Sequence, residues 1–276
     1  MNRVEQKKTD GYTTIMETYK NYNEFIATQN KRPFEWTNPE IGSGKHYRDA
    51  KGDDWRGCKS FDEAQNMLTH GHDENVGTMI KRVGELQKHG VSHKTKRFAD
   101  VVGYAPIVPN AIMGLPNSMM NSKKVDIQNK VITIMYCPEV SAMVDADEVT
   151  DFGCRFINAV MNLERCGYRV RIDFLNVFTD EFDERQYILR VPVKNEHQPV
   201  NIKRLSFPLT HVGMQRYLCF DWFEHLPKSR YIGGLGRPIG SCDSKARENF
   251  RSMLKDNEYL VLYGDDIETK FKQLDD

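Results

Sequence analysis

The sequence predicts an α/β fold in which a three-layer, mostly parallel sheet follows a helical N-terminal region. The first observation is the segment 131–136, which is almost wholly apolar, as in a strand buried on both faces. The second is an apolar stripe at helical spacing from Val149 to Leu163, which stops at Gly167. The third is the apolar segment 168–177, which completes a strand–helix–strand unit, and such units form right-handed parallel crossovers.

Four further segments extend the C-terminal part with alternating strand and helix patterns: a strand at 187–193, a helix over much of 205–226, a helix at 244–255 and a strand at 259–263. The first of these follows the charged turn 179–185 closely enough to pair antiparallel with the preceding strand. Pro208 has to lie near the start of its helix. We therefore predict an α/β domain over 126–276 and a helical region with long loops over 1–125.

Helical spacing predominates in the N-terminal region. Apolar residues at intervals of three and four predict one helix there: Tyr12, Ile15, Met16, Tyr19, Tyr22, Phe25 and Ile26. Prolines and glycines interrupt any pattern over 31–54, which predicts a long loop or linker. Ser60 is a predicted N-cap with Glu63 as its capping-box partner, and that helix ends at Gly71. A second helix over 74–89 completes a helical hairpin.

The segment 101–116 is apolar but interrupted by prolines, which cannot donate hydrogen bonds within a central strand. We predict an extended connector packed on a core. The polar segment 117–129 that follows is predicted to be a mobile loop, and its Met119 and Met120 leave open that it covers a surface or reaches a partner.

Composition limits the classes of function. The 39 Lys and Arg residues balance 39 Asp and Glu residues, which removes the global attraction to phosphate typical of nucleic-acid binders but leaves room for a local basic patch. The apolar runs are far shorter than the roughly 20 residues of a membrane-spanning helix. The polar start shows no secretory signal, and six cysteines without a CxxC pair predict a reducing cytoplasm and no structural zinc site.

Carboxylates near two predicted strand ends form a candidate metal site. Binding groups of open α/β sheets collect at the carboxyl ends of the strands. The candidate ligands there are Glu139, Ser141, Asp145, Asp265 and Asp266, with Asp147 as an alternative to Asp145. Hydroxyl and carboxylate oxygens suit magnesium, so this ion is possible although no cofactor is expected. The alternative is that these residues turn the chain and cap the following helices.

The glycine-rich segment 233–241 is a candidate phosphate site because it precedes a predicted helix, whose N-terminal amides attract anions. The candidate residues are Gly234, Gly236, Arg237, Gly240 and Ser241. The segment fits neither GxGxxG nor the P-loop, and a surface loop without a ligand is the alternative.

Basic residues on either side of the connector are candidate nucleic-acid contacts: Lys94, Lys96, Arg97, Lys123 and Lys124. They could bind phosphates, and the alternative is a solvated charged face.

From Val131 onward, the order of elements resembles a von Willebrand factor A domain: an apolar first strand, a long helix, a hairpin beginning at 169–178 and a strand ending in Tyr263, Gly264, Asp265 and Asp266. The resemblance implies a vWA-like or Rossmann-like sheet with a metal-ion-dependent adhesion site of pattern Asp-x-Ser-x-Ser. The corresponding residues here are Cys137, Glu139 and Ser141, so only the last matches, and the implied metal site is degenerate.

Several segments resemble an uncharacterised group of bacteriophage proteins: 54–58, 60–64, 102–109, 114–116 and 163–170. The resemblance implies a phage gene product in the cytoplasm of the infected cell or in the virion.

The sequence therefore predicts a non-enzymatic protein that binds another protein, from phage or host, through its N-terminal region and the proline-rich connector. Nucleic acid is a possible partner, and a membrane is not expected. One alternative is an enzyme or nucleic-acid-processing factor that uses the strand-end carboxylates and the glycine-rich segment. Another is a structural virion component.

Overall fold

The computed structural model describes residues 3–9, 12–37, 44–52, 55–88, 95–124, 130–141, 143–229, 235–242 and 244–272. The strands are β1 (Arg3–Thr9), β2 (Tyr12–Thr18), β3 (Thr95–Asp100), β4 (Ala105–Pro106), β5 (Met119–Lys124), β6 (Val131–Cys137), β7 (Arg169–Asp180), β8 (Arg185–Lys194) and β9 (Glu258–Leu262). The α-helices are α1 (Tyr22–Gln29), α2 (Phe61–His70), α3 (Asp73–Lys88), α4 (Val108–Ile112), α5 (Ala146–Arg165), α6 (Ile202–Thr210), α7 (Phe220–Glu224), α8 (Ser244–Arg251) and α9 (Ile267–Lys272). Short 3₁₀ turns lie at Tyr47–Asp49 and Ile239–Ser241, and a π-helix at Met214–Cys219 leads into α7.

Six strands form one sheet in the order β1-β2-β8-β7-β6-β9. β6 is parallel to both β7 and β9, and β2 is parallel to β8. β1 pairs antiparallel with β2, and β7 pairs antiparallel with β8. The α/β class and the antiparallel β7–β8 pairing are confirmed. The sheet is mixed, however, and the expected mostly parallel arrangement is interrupted because two antiparallel hairpins are built into it.

Helices cover the two faces of this sheet unequally. Ile134 and Tyr136 of β6 belong to a large buried cluster that includes residues of α2, α5 and α6. Met135 and Cys137 belong to a smaller cluster that includes residues of α8. Successive residues of a strand point to opposite faces, so the two clusters lie on opposite sides of the sheet.

The prediction of one helix over 12–26 is wrong for the first half of that segment. That part forms β2, and only Tyr22–Gln29 is helical, with Asn21 as the N-cap that accepts a hydrogen bond from the backbone N–H of Glu24 at 3.0 Å. The strand was hidden because two of its inward residues, Thr14 and Glu17, are polar and yet buried. Their polarity masks the period of two that identifies a strand.

The predicted helical hairpin is confirmed as α2 and α3. Ser60 accepts a hydrogen bond from the backbone N–H of Glu63 at 3.1 Å, as expected of an N-cap. Gly71 ends α2 with φ +94°, a conformation that L side chains rarely adopt. Its Cα also lies so close to α6 that a Cβ would be 2.2 Å from the carbonyl oxygen of Lys203.

The long helix predicted over 205–226 is divided into α6, the π-helix and α7. α6 ends at its C-cap His211, three residues after Pro208. The six-stranded sheet contains strands from both sides of residue 126, since β2 pairs with β8. The division of the chain into two domains at residue 126 stays a prediction.

Candidate functional site

A second sheet, with strands in the order β3-β5-β4, lies within residues 95–124, which we call the arm. β3 and β5 are antiparallel, from Thr95 opposite Lys124 to Asp100 opposite Met119. Gly103 lets the chain pass close to β5, because a Cβ there would lie 2.1 Å from the carbonyl oxygen of Met120. The predicted extended connector thus contains β4 and α4, and the predicted loop 117–129 contains β5.

The arm differs from the rest of the described chain in having no buried side chain between residues 97 and 122. None of its described residues belongs to a hydrophobic core cluster. The expectation that the connector packs on a core is therefore wrong. Its prolines are incompatible with a central strand, as expected: Pro106 lies in β4 at the edge of a small sheet, and Pro109 lies in α4.

Exposed apolar side chains are concentrated on the arm. Large apolar side chains are exposed at fourteen positions of the described chain, and eight of these lie between 98 and 115: Phe98, Val101, Val102, Tyr104, Val108, Ile112, Met113 and Leu115. Val102 is 74% exposed and Ile112 is 80% exposed. Single exposed apolar residues are ordinary, whereas a concentration of them marks an interaction surface.

Four of the five candidate nucleic-acid contacts lie at one end of the β3–β5 ladder. The register of β3 and β5 places Lys96 opposite Lys123 and Arg97 opposite Ser122. Lys124 is opposite Thr95 in the same ladder. Arg97 is exposed, whereas the side chains of the three lysines and the whole of Lys94 lie outside the described residues. Two segments that are distant in sequence therefore bring their basic residues to one place.

Glu139, the first metal candidate, is a buried structural carboxyl. It follows the end of β6 and is 3% exposed. Oε1 accepts hydrogen bonds from the Asn176 side chain at 3.1 Å and from the backbone N–H of Val177, and Oε2 accepts one from the backbone N–H of Ile239 at 3.0 Å. Burial raises the pKa of Glu139 to about 8, and the N–H donors of Val177 and Ile239 limit the rise. Both oxygens are thus engaged by the protein itself.

The other metal candidates have local roles. Asp145 accepts a hydrogen bond from the backbone N–H of Asp147 at 2.9 Å as N-cap of α5, and Asp266 accepts one from that of Thr269 at 3.2 Å before α9. Asp265 forms an ion pair with Lys270. Ser141 is exposed and forms a weak turn contact with the N–H of Met143 at 3.4 Å.

These roles correspond to the capping alternative. Among the described residues, no three His, Cys, Asp or Glu side chains are grouped as a metal site would require. The magnesium site stays a prediction.

The described part of the glycine-rich segment is held by contacts within the protein. Arg237 forms an ion pair with Glu181 at 3.1 Å and donates to the carbonyl oxygen of Ser241. Gly236 has φ +88°, and Gly240 is exposed in the 3₁₀ turn. Gly234 lies outside the described residues. Because Arg237 already has a carboxylate partner, it is a weaker phosphate ligand than the sequence suggests.

One cysteine–histidine pair resembles a catalytic arrangement. The Sγ of Cys58 lies 3.8 Å from the Nδ1 of His211. Burial raises the pKa of Cys58 to about 12 and lowers the pKa of His211 to about 4. The charged forms of both groups are disfavoured at neutral pH, whereas a nucleophilic cysteine needs a thiolate. The pair therefore acts as packing between α2, α6 and the segment before α2.

Comparison with known proteins identifies the family and nothing finer. A family model described as a domain of unknown function, DUF7192, matches residues 4–273. The chain belongs to the DUF7192 family. Neither a curated protein nor a solved structure shows a significant match. The likeness to bacteriophage proteins and to von Willebrand factor A domains accordingly stays a prediction. Within the described residues, no helix has the length and apolar character needed to cross a membrane.

Sequence reasoning missed one buried polar cluster of this DUF7192 chain, which lies around α7. Arg48 forms an ion pair with Asp221 at 2.8 Å, and Glu224 accepts a hydrogen bond from the backbone N–H of Tyr47 at 3.0 Å. Burial raises the pKa of Glu224 to about 8. The ring of Phe34 stacks on that of His46 with 3.4 Å between centroids. The cluster fixes the segments before α2 against α7.

The signal that could have revealed this cluster is the pair of acidic residues in the apolar stretch 217–226, since buried carboxylates need partners from elsewhere in the chain.

Proposed function

We propose that this DUF7192 protein binds another protein through the arm and acts as a non-enzymatic interaction protein. The observation that carries the proposal is the concentration of exposed large apolar side chains on the arm, where no residue between 97 and 122 is buried. Leaving such residues in water forgoes about 25 cal/mol for every Å² of apolar surface that burial would remove. A partner that covers them recovers this free energy.

The mixed chemistry of the arm favours protein as the partner. Val101, Val102 and Tyr104 provide an apolar centre, and Arg97 lies in the adjoining strand. Interfaces commonly combine an apolar, aromatic-containing core with a polar rim in which arginine is frequent. The contacts of Glu139 and Arg237 described above support a structural role for the sheet end rather than a catalytic one.

The test is site-specific photocrosslinking in the organism's own extract. A photoreactive phenylalanine analogue is placed at Val102 or Ile112, and at Phe182 as a matched control outside the arm, which is 94% exposed. The expected result is a discrete heavier adduct from both arm positions and none from Phe182. No adduct from the arm, or the same adduct from all three positions, would contradict the proposal.

A variant pair provides a second readout. Val102→Asp with Ile112→Asp is expected to abolish co-purification of the crosslinked partner while leaving the melting temperature unchanged. The control is Met143→Asp with Phe182→Asp, which changes two residues exposed by 92% and 94% outside the arm. If the partner is retained by the arm variant, the arm is not its binding surface.

Nucleic acid is the second candidate, and the juxtaposition of Lys96 and Lys123 is the observation that favours it. A phosphate-binding arm is expected to lose affinity for a single-stranded oligonucleotide steeply with added salt, and to lose it in Arg97→Gln with Lys123→Gln. A protein-binding arm is expected to show no such binding.

A further inference from the structure

A cavity of about 660 Å³ lies between the sheet and two loops, away from the arm. Ile15 of β2 and Tyr187 of β8 are part of its lining, and Pro33, Leu226 and Pro227 line it from the loops. Its volume lies within the range of about 300 to 1,000 Å³ that is usual for small-molecule sites. Such sites combine apolar walls with a few converging polar groups.

The floor of the cavity carries a neutralised acid. Glu17 is 1% exposed and forms a two-point ion pair with Arg32, one bond of which measures 2.8 Å. The indole N–H of Trp222 also donates to Glu17, at 2.8 Å. Because the carboxylate is satisfied by these donors, it does not attract a cation into the cavity.

Two cationic residues, Arg185 and Lys228, belong to the lining of the cavity. Within the described part of the chain, neither Arg185 nor Lys228 forms an ion pair. Arg185 donates to the carbonyl oxygen of Lys228 at 3.2 Å, and the Tyr187 hydroxyl donates to the same oxygen at 3.0 Å. These bonds hold Lys228 at φ +65°, a left-handed conformation that is costly for a residue with a side chain.

The charges that line the cavity leave it with a net positive charge. Arg32, Arg185 and Lys228 are cationic, whereas Glu17 and Glu35 are anionic. The Glu17–Arg32 pair cancels, so two rim cations face one exposed carboxylate, that of Glu35. An anion is therefore favoured over a cation or a neutral molecule of the same shape.

We propose that this cavity binds a small organic anion with an apolar body. Arg185 and Lys228 hold its carboxylate or phosphate group, and its apolar part lies against Ile15 and Leu226. This site is separate from the arm and does not depend on the function proposed for it.

The test is titration calorimetry with three probes that share a ten-carbon chain: decanoate, decyl phosphate and neutral decanol, each below its aggregation limit. We expect decanoate or decyl phosphate to bind at least about tenfold more tightly than decanol, and the tighter of the two identifies the head group. Equal binding of all three, or binding of none, would overturn the proposal.

Variants locate the site. Arg185→Gln with Lys228→Asn removes both rim cations, and asparagine tolerates the left-handed conformation. This variant is expected to lose about tenfold or more in affinity for the anionic probe. Lys245→Gln with Arg247→Gln removes the same charge from exposed residues of α8 and is expected to bind normally. Equal affinities of the two variants would show that the anion binds elsewhere.

Discussion

The carboxyl group of Glu139 accepts a hydrogen bond from the backbone N–H of Ile239, 100 residues later in the chain, at 3.0 Å. The same side chain accepts from Asn176 and Val177 of β7. One buried side chain thus joins the end of β6 and the neighbouring strand β7 to Ile239 of the glycine-rich segment 233–241. The sequence suggested Glu139 as a ligand for a metal ion, whereas in the structure its carboxyl group links separate parts of the fold.

Glu139→Ala is expected to lower the free energy of unfolding by about 2 to 4 kcal/mol, because it leaves buried N–H groups of Val177 and Ile239 without an acceptor. Urea denaturation measures the loss. Glu85→Ala, an exposed position on α3, is the matched control and is expected to change stability by less than about 0.5 kcal/mol. A similar small effect at Glu139 would mean that its hydrogen bonds do not stabilise the fold.

Stability is expected to fall as the pH rises from 6.5 to 8. The pKa of Glu139 and that of Glu224 are raised from 4.5 to about 8 by burial, so the folded protein holds protons that the unfolded chain has released. Their contribution is complete below pH 4.5 and is lost as the pH passes 8. The pKa of His211 is lowered to about 4, so this residue makes stability rise with pH below pH 6.5. The expected fall in stability is therefore measured between pH 6.5 and 8.

Glu224→Gln is expected to weaken this dependence without abolishing it, because glutamine can still accept the bond from Tyr47 but does not ionise, whereas Glu139 still does. Urea midpoints at pH 6.5 and 8 measure the difference. An unchanged slope in this variant would show that Glu224 does not titrate in that range.

Two glycines are expected to respond to alanine with opposite sign. Gly71→Ala places a Cβ 2.2 Å from the carbonyl oxygen of Lys203 and forces an alanine to φ +94°, and should cost about 2 kcal/mol or more. Gly84 lies inside α3 with no atom within 4 Å of its Cβ position, so Gly84→Ala should gain about 0.5 to 1 kcal/mol. Thermal unfolding compares them, and a Gly71→Ala variant as stable as the native protein would contradict the close approach of Gly71 to α6.

The arm is expected to open without unfolding of the main sheet. Amide hydrogen exchange of Ala99 and Met120, which pair across β3 and β5, should be about 100-fold or more faster than that of Phe174 and Leu175 in β7. The reason is that no side chain between residues 97 and 122 of the arm is buried, whereas β7 is buried along most of its length. Equal protection of both ladders would mean that the arm is part of the cooperative core.

Asp266→Ala is expected to cost about 1 kcal/mol through loss of the α9 N-cap, and magnesium is expected to leave the melting temperature of both proteins unchanged. A magnesium-dependent rise in the native protein that disappears in Asp266→Ala would instead favour the metal-dependent alternative.

The sequence predicts most of the C-terminal fold because the apolar period of each segment there matches its structure. β6, α5 and β9 are all found close to their predicted bounds. The sequence does not predict β2, because polar residues occupy buried positions of this strand. The Thr14 hydroxyl accepts a hydrogen bond from the Asn249 side chain, and the Glu17 carboxylate accepts one from Arg32. Those partners are distant in sequence, so no local sequence pattern indicates them.

The candidate site was predicted in part. The basic residues at both ends of the connector were recognised, but their meeting depends on the β3–β5 register, which a single sequence does not specify. Exposure of Val102 and Ile112 was not foreseen, because an apolar run is usually read as core. The sequence correctly places Glu139 at a strand end. It does not show the hydrogen-bond partners of Glu139, because they lie 37 and 100 residues away.

The pairing of β2 with β8 also has a consequence during synthesis on the ribosome. Strands β1 and β2 emerge before β8, the strand beside which β2 lies, and β8 ends only at residue 194. At about 5 to 20 residues per second, the hairpin waits on the order of 10 s or more for its neighbour. Throughout that time the edge of β2 that later contacts β8 is open to other chains. The positive charges of Lys7 and Lys8 in β1 then oppose aggregation of the nascent hairpin.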